Sequence, residues 1–196
     1  MKKITIYLVS IILFMGWMTP SFAQEGKASK EERKEQKLYE KEKRKEEQAK
    51  KKELQVEMTK QMVELQRFVL EADQLSDKYG QRAQVNPNIN FILIDSLQGT
   101  IQLGSAYNLG YNGVGGTTVD GRITKYLVNK TGRKKDAYSI QLMFMSTLGT
   151  YDINLLVGSE GNASATIRGN WSGQLNYHGK LVPLGVSRVY KGNPSF

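Results

Sequence analysis

Residues 151–168, YDINLLVGSEGNASATIR, alternate apolar and polar side chains on both sides of a turn. Successive side chains of a β-strand point to opposite faces of a sheet, so this alternation predicts two strands that each bury one face. Glu160-Gly161-Asn162 between them is typical of a hairpin turn. The apolar positions of the predicted hairpin are Tyr151, Ile153, Leu155, Val157, Ala163, Ala165 and Ile167.

Further short strands are predicted on both sides of this hairpin. Short turns such as Ser96-Leu97-Gln98-Gly99 connect them and leave no room for the crossover helices that parallel strands require. The predicted fold class is therefore α+β, a helix packed on a mainly antiparallel sheet of about seven or eight strands, in a single domain over residues 54–196. The other predicted strands are 91–94, 100–103, 118–128, 137–147, 174–178 and 181–190, the last with Pro183 at an edge or bulge.

An amphipathic helix is predicted before the sheet, over residues 54–79. Apolar residues recur there at steps of three and four, which places them on one face of a helix, and Gly80 is suited to the helix stop. This stripe is expected to pack on the sheet of its own domain, and the alternative is pairing with a second copy of the chain. Its members are Leu54, Met58, Met62, Leu65, Val69, Ala72, Leu75 and Tyr79.

A charged arm, residues 24–53, precedes the predicted helix. Lysine, glutamate, arginine and glutamine dominate it and favour helix, and Glu40–Arg44 is an acid-before-base pair one helical turn apart. A helix that is polar on every side cannot bury a face, so the arm is predicted to be helical or disordered. It is either a spacer or basic surface-binding arm, or a solvated charged tail without a partner.

The N-terminus has the pattern of a secretory signal peptide over residues 1–23. Lys2 and Lys3 precede an apolar run at 4–18, and Ser21-Phe22-Ala23 is a small-x-small cleavage motif. The mature chain is expected to start near Gln24, in the periplasm or outside the cell, with no transmembrane segment. The alternative is an uncleaved membrane anchor, for which the apolar run is short.

The charge of the chain favours anionic partners. The formal net charge is +9, and loss of Lys2 and Lys3 with the leader lowers it to +7. An exported basic protein is expected to meet anionic lipid, lipopolysaccharide or acidic glycans, whereas nucleic acid is a poor candidate outside the cytoplasm. The sequence has no cysteine, which excludes disulfides, thiol catalysis and cysteine-ligated zinc.

A glycine-rich segment, YNLGYNGVGGTTVDGRI at 107–123, raises the question of phosphate binding. Gly110 and Gly115 have the spacing of a phosphate-binding loop, but Gly116 stands where that loop needs a lysine, and a strand rather than a helix follows. No cofactor is therefore expected. The segment is either a ligand-contacting loop or a long connection held down by its own tyrosines. The ligand-contacting residues would be Tyr107, Tyr111, Asn112, Arg122 and Tyr126.

Candidate catalytic groups are sparse, and no catalytic or metal-binding residue is predicted. His178 is the only histidine and lies in a predicted strand, without a serine in a nucleophile elbow nearby. The acidic residues are scattered, and no cluster has the spacing of metal ligands. A hydrolase acting on envelope polymers stays an alternative that requires two carboxylates, or His178 with a serine or an acid, to converge in a cleft.

Five segments together resemble the domain of unknown function family numbered 4251 over about residues 60–193. The glycine-rich segment and the GQLNYHGKLVP stretch are the most specific of them. The resemblance implies a small exported single domain of Gram-negative bacteria whose activity is not established, and it carries no catalytic residues over to this chain. The segments are RFVLEADQ at 67–74, NINFILID at 88–95, TIQLGSAYNLGYNGVGGTTVDGRI at 100–123, LGTYDINLLVGSEGNASATIRG at 148–169 and GQLNYHGKLVPLGVSRVYKG at 173–192.

Export, basic charge and the lack of a catalytic constellation favour a non-catalytic binding or structural module of the cell envelope. Under this hypothesis the charged arm touches an anionic surface, and the glycine-rich segment contacts a ligand or partner. A third hypothesis is an inhibitor or assembly partner that offers a sheet face to another protein, which an exposed apolar patch would favour.

Overall fold

The computed structural model describes residues 25–105, 112–132, 136–169 and 173–195, with side chains from Glu32 onward. These residues form one long helix followed by nine β-strands. The helix α1 spans Glu25–Leu65. The strands are β1 Arg67–Asp77, β2 Arg82–Gln84, β3 Phe91–Asp95, β4 Gln98–Leu103, β5 Thr117–Thr131, β6 Ala137–Ser146, β7 Gly149–Val157, β8 Asn162–Arg168 and β9 Gln174–Pro183.

Strand β1 occupies sequence that the apolar stripe predicts to be helix, so the predicted helix over 54–79 is wrong beyond Leu65. The helix ends where Gln66 adopts a left-handed conformation with a φ of 54°. A non-glycine residue in this region cannot continue an α-helix. The chain turns there, and β1 begins at the next residue, Arg67.

A β-bulge explains why β1 has a helix-like sequence pattern. Phe68, Leu70 and Ala72 are buried in the core at steps of two, as in any strand with one inward face. Just after Ala72 the register with β9 shifts by one residue, so the next core residue is Leu75, three positions on. This step of three, together with the buried Val69 on the opposite face, imitates the spacing of a helix.

The strands form one antiparallel sheet that closes into a barrel. Eight strands follow one another in the order β1-β3-β4-β5-β6-β7-β8-β9, and β9 pairs with β1. The additional strand β2 pairs with β1 beyond the residues that pair with β3. The predicted antiparallel sheet is confirmed, whereas its closure and the short strand β2 are not predicted from the sequence.

The last two predicted strands, 174–178 and 181–190, are one strand followed by an irregular segment. Strand β9 runs without a break to Pro183. Residues 184–195, here called the C-terminal tail, leave the sheet and return across its outer face. Ser187 donates to a Glu71 carboxylate oxygen at 2.6 Å, and the Ser195 amide donates to the carbonyl oxygen of Thr118 at 2.9 Å.

The interior of the barrel is filled by side chains. Tyr177 of β9 is fully buried, and its hydroxyl donates to the carbonyl oxygen of Gln102 on β4 at 3.0 Å. Met62 and Val63 of α1 join the same core. The core therefore consists mainly of the alternating residues that the strand patterns predict. Its larger strand members are Phe68, Leu70, Leu75, Ile92, Ile94, Ile101, Ile123, Tyr138, Ile140, Leu142, Phe144, Tyr151, Ile153, Leu155, Ile167, Tyr177 and Leu181.

The last turns of α1 lie at the end of the barrel where β1 begins. On one side the Tyr126 hydroxyl of β5 donates to the carbonyl oxygen of Val63 at 3.1 Å. On the other side Gly161, in the turn between β7 and β8, lies beside Gln55 and the buried Thr59. This position brings the helix next to the end of β9 as well, since the Leu181 amide donates to the carbonyl oxygen of Gly161 at 2.7 Å.

The chain divides into two compact units at the peptide bond between Ala49 and Lys50. The barrel and the last turns of α1 belong to the second unit. In the part of the chain that the structure describes, no helix combines the length and the hydropathy needed to cross a bilayer.

Candidate functional site

Two of the predicted ligand-contacting residues, Tyr107 and Tyr111, lie outside the described residues. The described half of the glycine-rich segment runs against the end of β4. A Cβ atom on Gly116 would overlap the carbonyl oxygen of Leu103, so only glycine permits this approach. Gly116 is therefore needed for the close packing of this backbone on the backbone of β4.

Asn112, the third predicted residue, is buried and bound to its own loop. Its Oδ1 atom accepts hydrogen bonds from the amides of Val114 and Gly116 at 3.1 and 3.0 Å. Its Nδ2 atom donates to Thr118 Oγ1 at 3.1 Å, and its carbonyl oxygen accepts from the Asn193 amide of the C-terminal tail at 3.0 Å. These bonds support the interpretation that the segment is a long connection held in place by its own side chains. The residue that makes the bonds is an asparagine, whereas the sequence suggested the tyrosines.

Arg122 and Tyr126 do not share a face of β5. Arg122 is exposed, whereas a register shift after Ile123 places Tyr126 opposite the core residue Leu142. Tyr126 packs against the core, and burial raises the pKa of its hydroxyl, which bonds to Val63. The described members of the predicted set therefore do not form one surface, and ligand contact by these residues stays a prediction.

His178 lies next to a serine, as the hydrolase alternative requires. Its Nε2 atom is 3.1 Å from Ser76 Oγ, which also accepts a hydrogen bond from Asn176 Nδ2 at 3.2 Å. Ser76 is buried, and within the described residues no carboxylate is hydrogen-bonded to the imidazole. A serine–histidine hydrolase uses an acid on the second ring nitrogen and a serine open to substrate. The contact alone gives the hydrolase alternative little support.

A groove of about 370 Å³ lies between the last turns of α1 and the end of β9. This volume falls within the range of small-molecule sites. Its apolar lining is Met58 of α1 with residues 181–183 of β9, and Gln55 and Gly161 complete the wall. The helix supplies this lining because Gln55 and Met58 lie one turn apart on the face that meets the barrel.

Three lysines and one glutamate surround this groove, which leaves a local charge of +2. Lys52 Nζ lies 3.1 Å from Glu160 Oε1, with more than half of each side chain exposed. An exposed pair of this kind contributes about 0–1 kcal/mol, so little stability is lost if another anion takes the place of Glu160 beside Lys52. In the described ranges no carboxylate pairs with Lys51 or Lys180. We call this site, with Lys51, Lys52, Lys180 and Met58, the cationic groove.

One family model matches residues 49–181, that of the domain of unknown function DUF4251, over more than half of the chain. The chain belongs to the DUF4251 family. This match confirms the resemblance in the sequence, and the four charged residues of the cationic groove lie inside the matched range. No curated protein matches the sequence.

A solved structure supports the same family and fold. It is the crystal structure of a DUF4251 family protein from Bacteroides eggerthii DSM 20697, which is 30% identical to this chain. The two superpose with a TM-score of 0.56, and the match covers 67% of this chain and 89% of that chain.

Sequence reasoning misses the cationic groove of this DUF4251 domain. In the sequence, Lys51 and Lys52 belong to the charged arm, and Lys180 lies between two predicted strands more than a hundred residues away. Antiparallel pairing and barrel closure bring the end of β9 beside the helix. The available signal was the run Lys50-Lys51-Lys52 directly before an apolar stripe, because basic residues beside an apolar face suit anionic amphiphiles.

Proposed function

We propose that this DUF4251 domain is a non-catalytic binding module of the cell envelope whose cationic groove holds an anionic group on an apolar stem. The observation that carries the proposal is the composition of the groove, where Lys51 and Lys180, which have no carboxylate partner among the described residues, lie beside Met58 and the apolar end of β9. Ammonium groups form charge-assisted hydrogen bonds with phosphate or carboxylate oxygens. The apolar lining adds about 0.8 kcal/mol for each methylene group that it buries.

Export is part of this proposal and rests on the sequence alone. The basic start, the apolar run and Ser21-Phe22-Ala23 have the pattern of a cleaved signal peptide. Mass spectrometry of the protein recovered from its native host tests this step. A first residue at or near Gln24 supports export, and retention of Met1 in the cytoplasmic fraction contradicts it.

Octyl phosphate is a suitable probe of the groove, since it joins a phosphate to a short alkyl chain. We expect the mature chain, residues 24–196, to bind octyl phosphate in isothermal titration calorimetry and to bind octanol and inorganic phosphate less tightly. Replacing Lys51 and Lys180 by glutamine is expected to weaken binding by about tenfold or more, because each charged hydrogen bond contributes roughly 1.5–3 kcal/mol. Binding should also weaken as salt is raised.

The matched control is the double variant Lys125→Gln/Lys130→Gln, which removes the same charge from β5. Strand β5 is four strands from β9 in either direction around the barrel. We expect this variant to bind octyl phosphate like the parent chain. Equal losses in both double variants would show that only the net charge matters and would contradict a built groove.

A vesicle experiment separates the groove from the charged arm. Sedimentation with phosphatidylglycerol–phosphatidylcholine vesicles is compared with sedimentation with phosphatidylcholine alone. Loss of sedimentation on replacing Lys41, Lys43 and Lys45 by glutamine, with octyl phosphate binding intact, would assign surface attachment to the arm. The groove would then select the ligand, whereas the arm would only hold the protein near the membrane.

A further inference from the structure

Strand β5 extends well past its neighbour β4. It spans 15 residues, and its pairing with β4 ends at Arg122, whereas its pairing with β6 continues to Thr131. The last bond on the β4 side is from the Ile123 amide to the carbonyl oxygen of Leu97, at 2.8 Å. Residues 124–131, here called the β5 overhang, have no strand partner on that side among the described residues.

The β5 overhang is open to solvent on one edge and pairs with β6 along the other, from Lys125 to Thr131. Seven of its eight residues are exposed, and the remaining residue, Tyr126, packs on the core and bonds to Val63. Alternate residues of an antiparallel strand direct their N–H and C=O groups away from the paired neighbour. The overhang therefore presents a formed strand edge, so an incoming strand orders only itself on binding.

Exposed apolar side chains border this edge. Leu127 and Val128 on the overhang are 47% and 39% exposed. Leu97, whose carbonyl group makes the last bond to β5, is 68% exposed, and Leu65 before the Gln66 turn is 65% exposed. The Ser96 amide donates to the carbonyl oxygen of Gln66, which joins these two turns at the start of the overhang. An incoming strand would cover part of this apolar surface.

The charge of the overhang selects among possible strands. Lys125 and Lys130 are its only charged residues, and both are exposed. Two copies of the chain paired through this edge would bring four lysines together without a carboxylate, and like charges on neighbouring strands are destabilising. Lysines protect sheet edges against self-pairing in this way. An acidic strand is free of this repulsion.

We propose that the β5 overhang binds an extended acidic segment of another protein by β-strand addition. Backbone hydrogen bonds would supply the attachment, and two carboxylates would select the partner. Lys125 lies opposite Met143 on the outer face, and Lys130 lies opposite Tyr138 on the inner face. Acidic residues five positions apart in the partner therefore meet both lysines, with β-branched residues between them. This surface is separate from the cationic groove and does not depend on its function.

The test uses the mature chain and the synthetic peptide Thr-Glu-Val-Thr-Val-Thr-Glu-Thr, whose glutamates are five positions apart. Binding is measured by calorimetry, and its location by amide hydrogen exchange. We expect the peptide to protect alternate amides within 124–131. Charge reversal by Lys125→Glu/Lys130→Glu is expected to weaken binding by about tenfold or more and to favour the same peptide with lysine in place of glutamate.

Two controls make the outcome decisive. A peptide N-methylated at alternate residues keeps the charges but loses edge donors, and it should not bind. The Lys51→Gln/Lys180→Gln variant should bind the acidic peptide like the parent chain, even where octyl phosphate binding is lost. Absence of protection at 124–131, protection elsewhere, or equal binding of the N-methylated peptide would overturn the proposal. Protection that rises with protein concentration alone would assign the edge to a second copy instead.

Discussion

At the residue scale, the buried side chain of Gln102 connects several segments on the outer face of the barrel through hydrogen bonds, which an apolar side chain cannot make. It is fully buried, and its amide makes four hydrogen bonds. Nε2 donates to the carbonyl oxygens of Ile89 and Tyr190 at 3.1 and 2.8 Å, and Oε1 accepts from Thr118 Oγ1 and the Gly192 amide at 3.0 and 2.8 Å. All the donors and acceptors of the amide are thus satisfied. Two of these bonds hold the C-terminal tail.

Substitution of Gln102 by leucine keeps the size but leaves four polar groups to find other partners. We expect the free energy of unfolding to fall by about 3 kcal/mol, since each unsatisfied buried group costs roughly 1–3 kcal/mol and the tail can relax. Urea unfolding followed by circular dichroism measures this loss. Gln98→Leu, at an exposed position of the same strand, should change stability by less than about 0.5 kcal/mol. Similar stabilities of the two variants would contradict the role of Gln102.

At the element scale, the bulge in β1 brings that strand very close to β9. Ala72 is opposite Gly179, and the register shifts directly after this pair. A Cβ atom on Gly179 would overlap the carbonyl oxygen of Glu71 and lie 2.8 Å from the Cα atom of Ala72. Glycine is therefore required where the barrel closes, and the backbones there leave no space for a side chain.

Gly179→Ala is expected to lower the free energy of unfolding by about 3 kcal/mol, because two paired strands must separate to admit the methyl group. The measurement is the midpoint of urea unfolding at constant m-value. Gly185→Ala is the matched control, since a Cβ atom there meets nothing within 4 Å. We expect it to unfold within about 0.5 kcal/mol of the parent chain. A tolerated alanine at Gly179 would show that the closure is looser than the structure indicates.

At the scale of the whole molecule, buried tyrosines link the stability of the barrel to pH. Tyr177 and Tyr126 have raised pKa values because burial disfavours their charged forms. In the unfolded chain the same phenols ionise near the ordinary tyrosine pKa of about 10. Below that pH both states are neutral, and the contribution of burial is fully present. Above it the unfolded state loses protons that the folded state retains, so stability falls with rising pH.

For each such tyrosine, the free energy of unfolding is expected to fall by about 1.4 kcal/mol for each pH unit above 10. The parent chain and the Tyr177→Phe variant are compared by urea unfolding between neutral pH and about pH 11. We expect the variant to lose stability less steeply in the alkaline range, although it starts about 1 kcal/mol lower because the bond to Gln102 is missing. Parallel alkaline slopes for the two proteins would contradict the raised pKa of Tyr177.

The fold class, the antiparallel strands and most of the core could be predicted from the amino-acid sequence. Alternation in segments such as 151–168 predicts which residues face inward, because a strand has a period of two whatever its neighbours are. The prediction from the sequence pattern was wrong over residues 66–79, because the bulge after Ala72 replaces a step of two between core residues by a step of three. A bulge depends on the partner strand β9, which lies about a hundred residues further along the chain.

The barrel closure, the cationic groove and the β5 overhang could not be predicted from the sequence and are visible only in the folded chain. Each depends on which strands are neighbours and where their pairing stops, and alternation within one strand carries no such information. The same limit applies to Asn112, whose hydrogen bonds to its loop and to the C-terminal tail appear only when distant segments meet. Local sequence sets the face that a residue occupies, whereas long-range packing sets what that face meets.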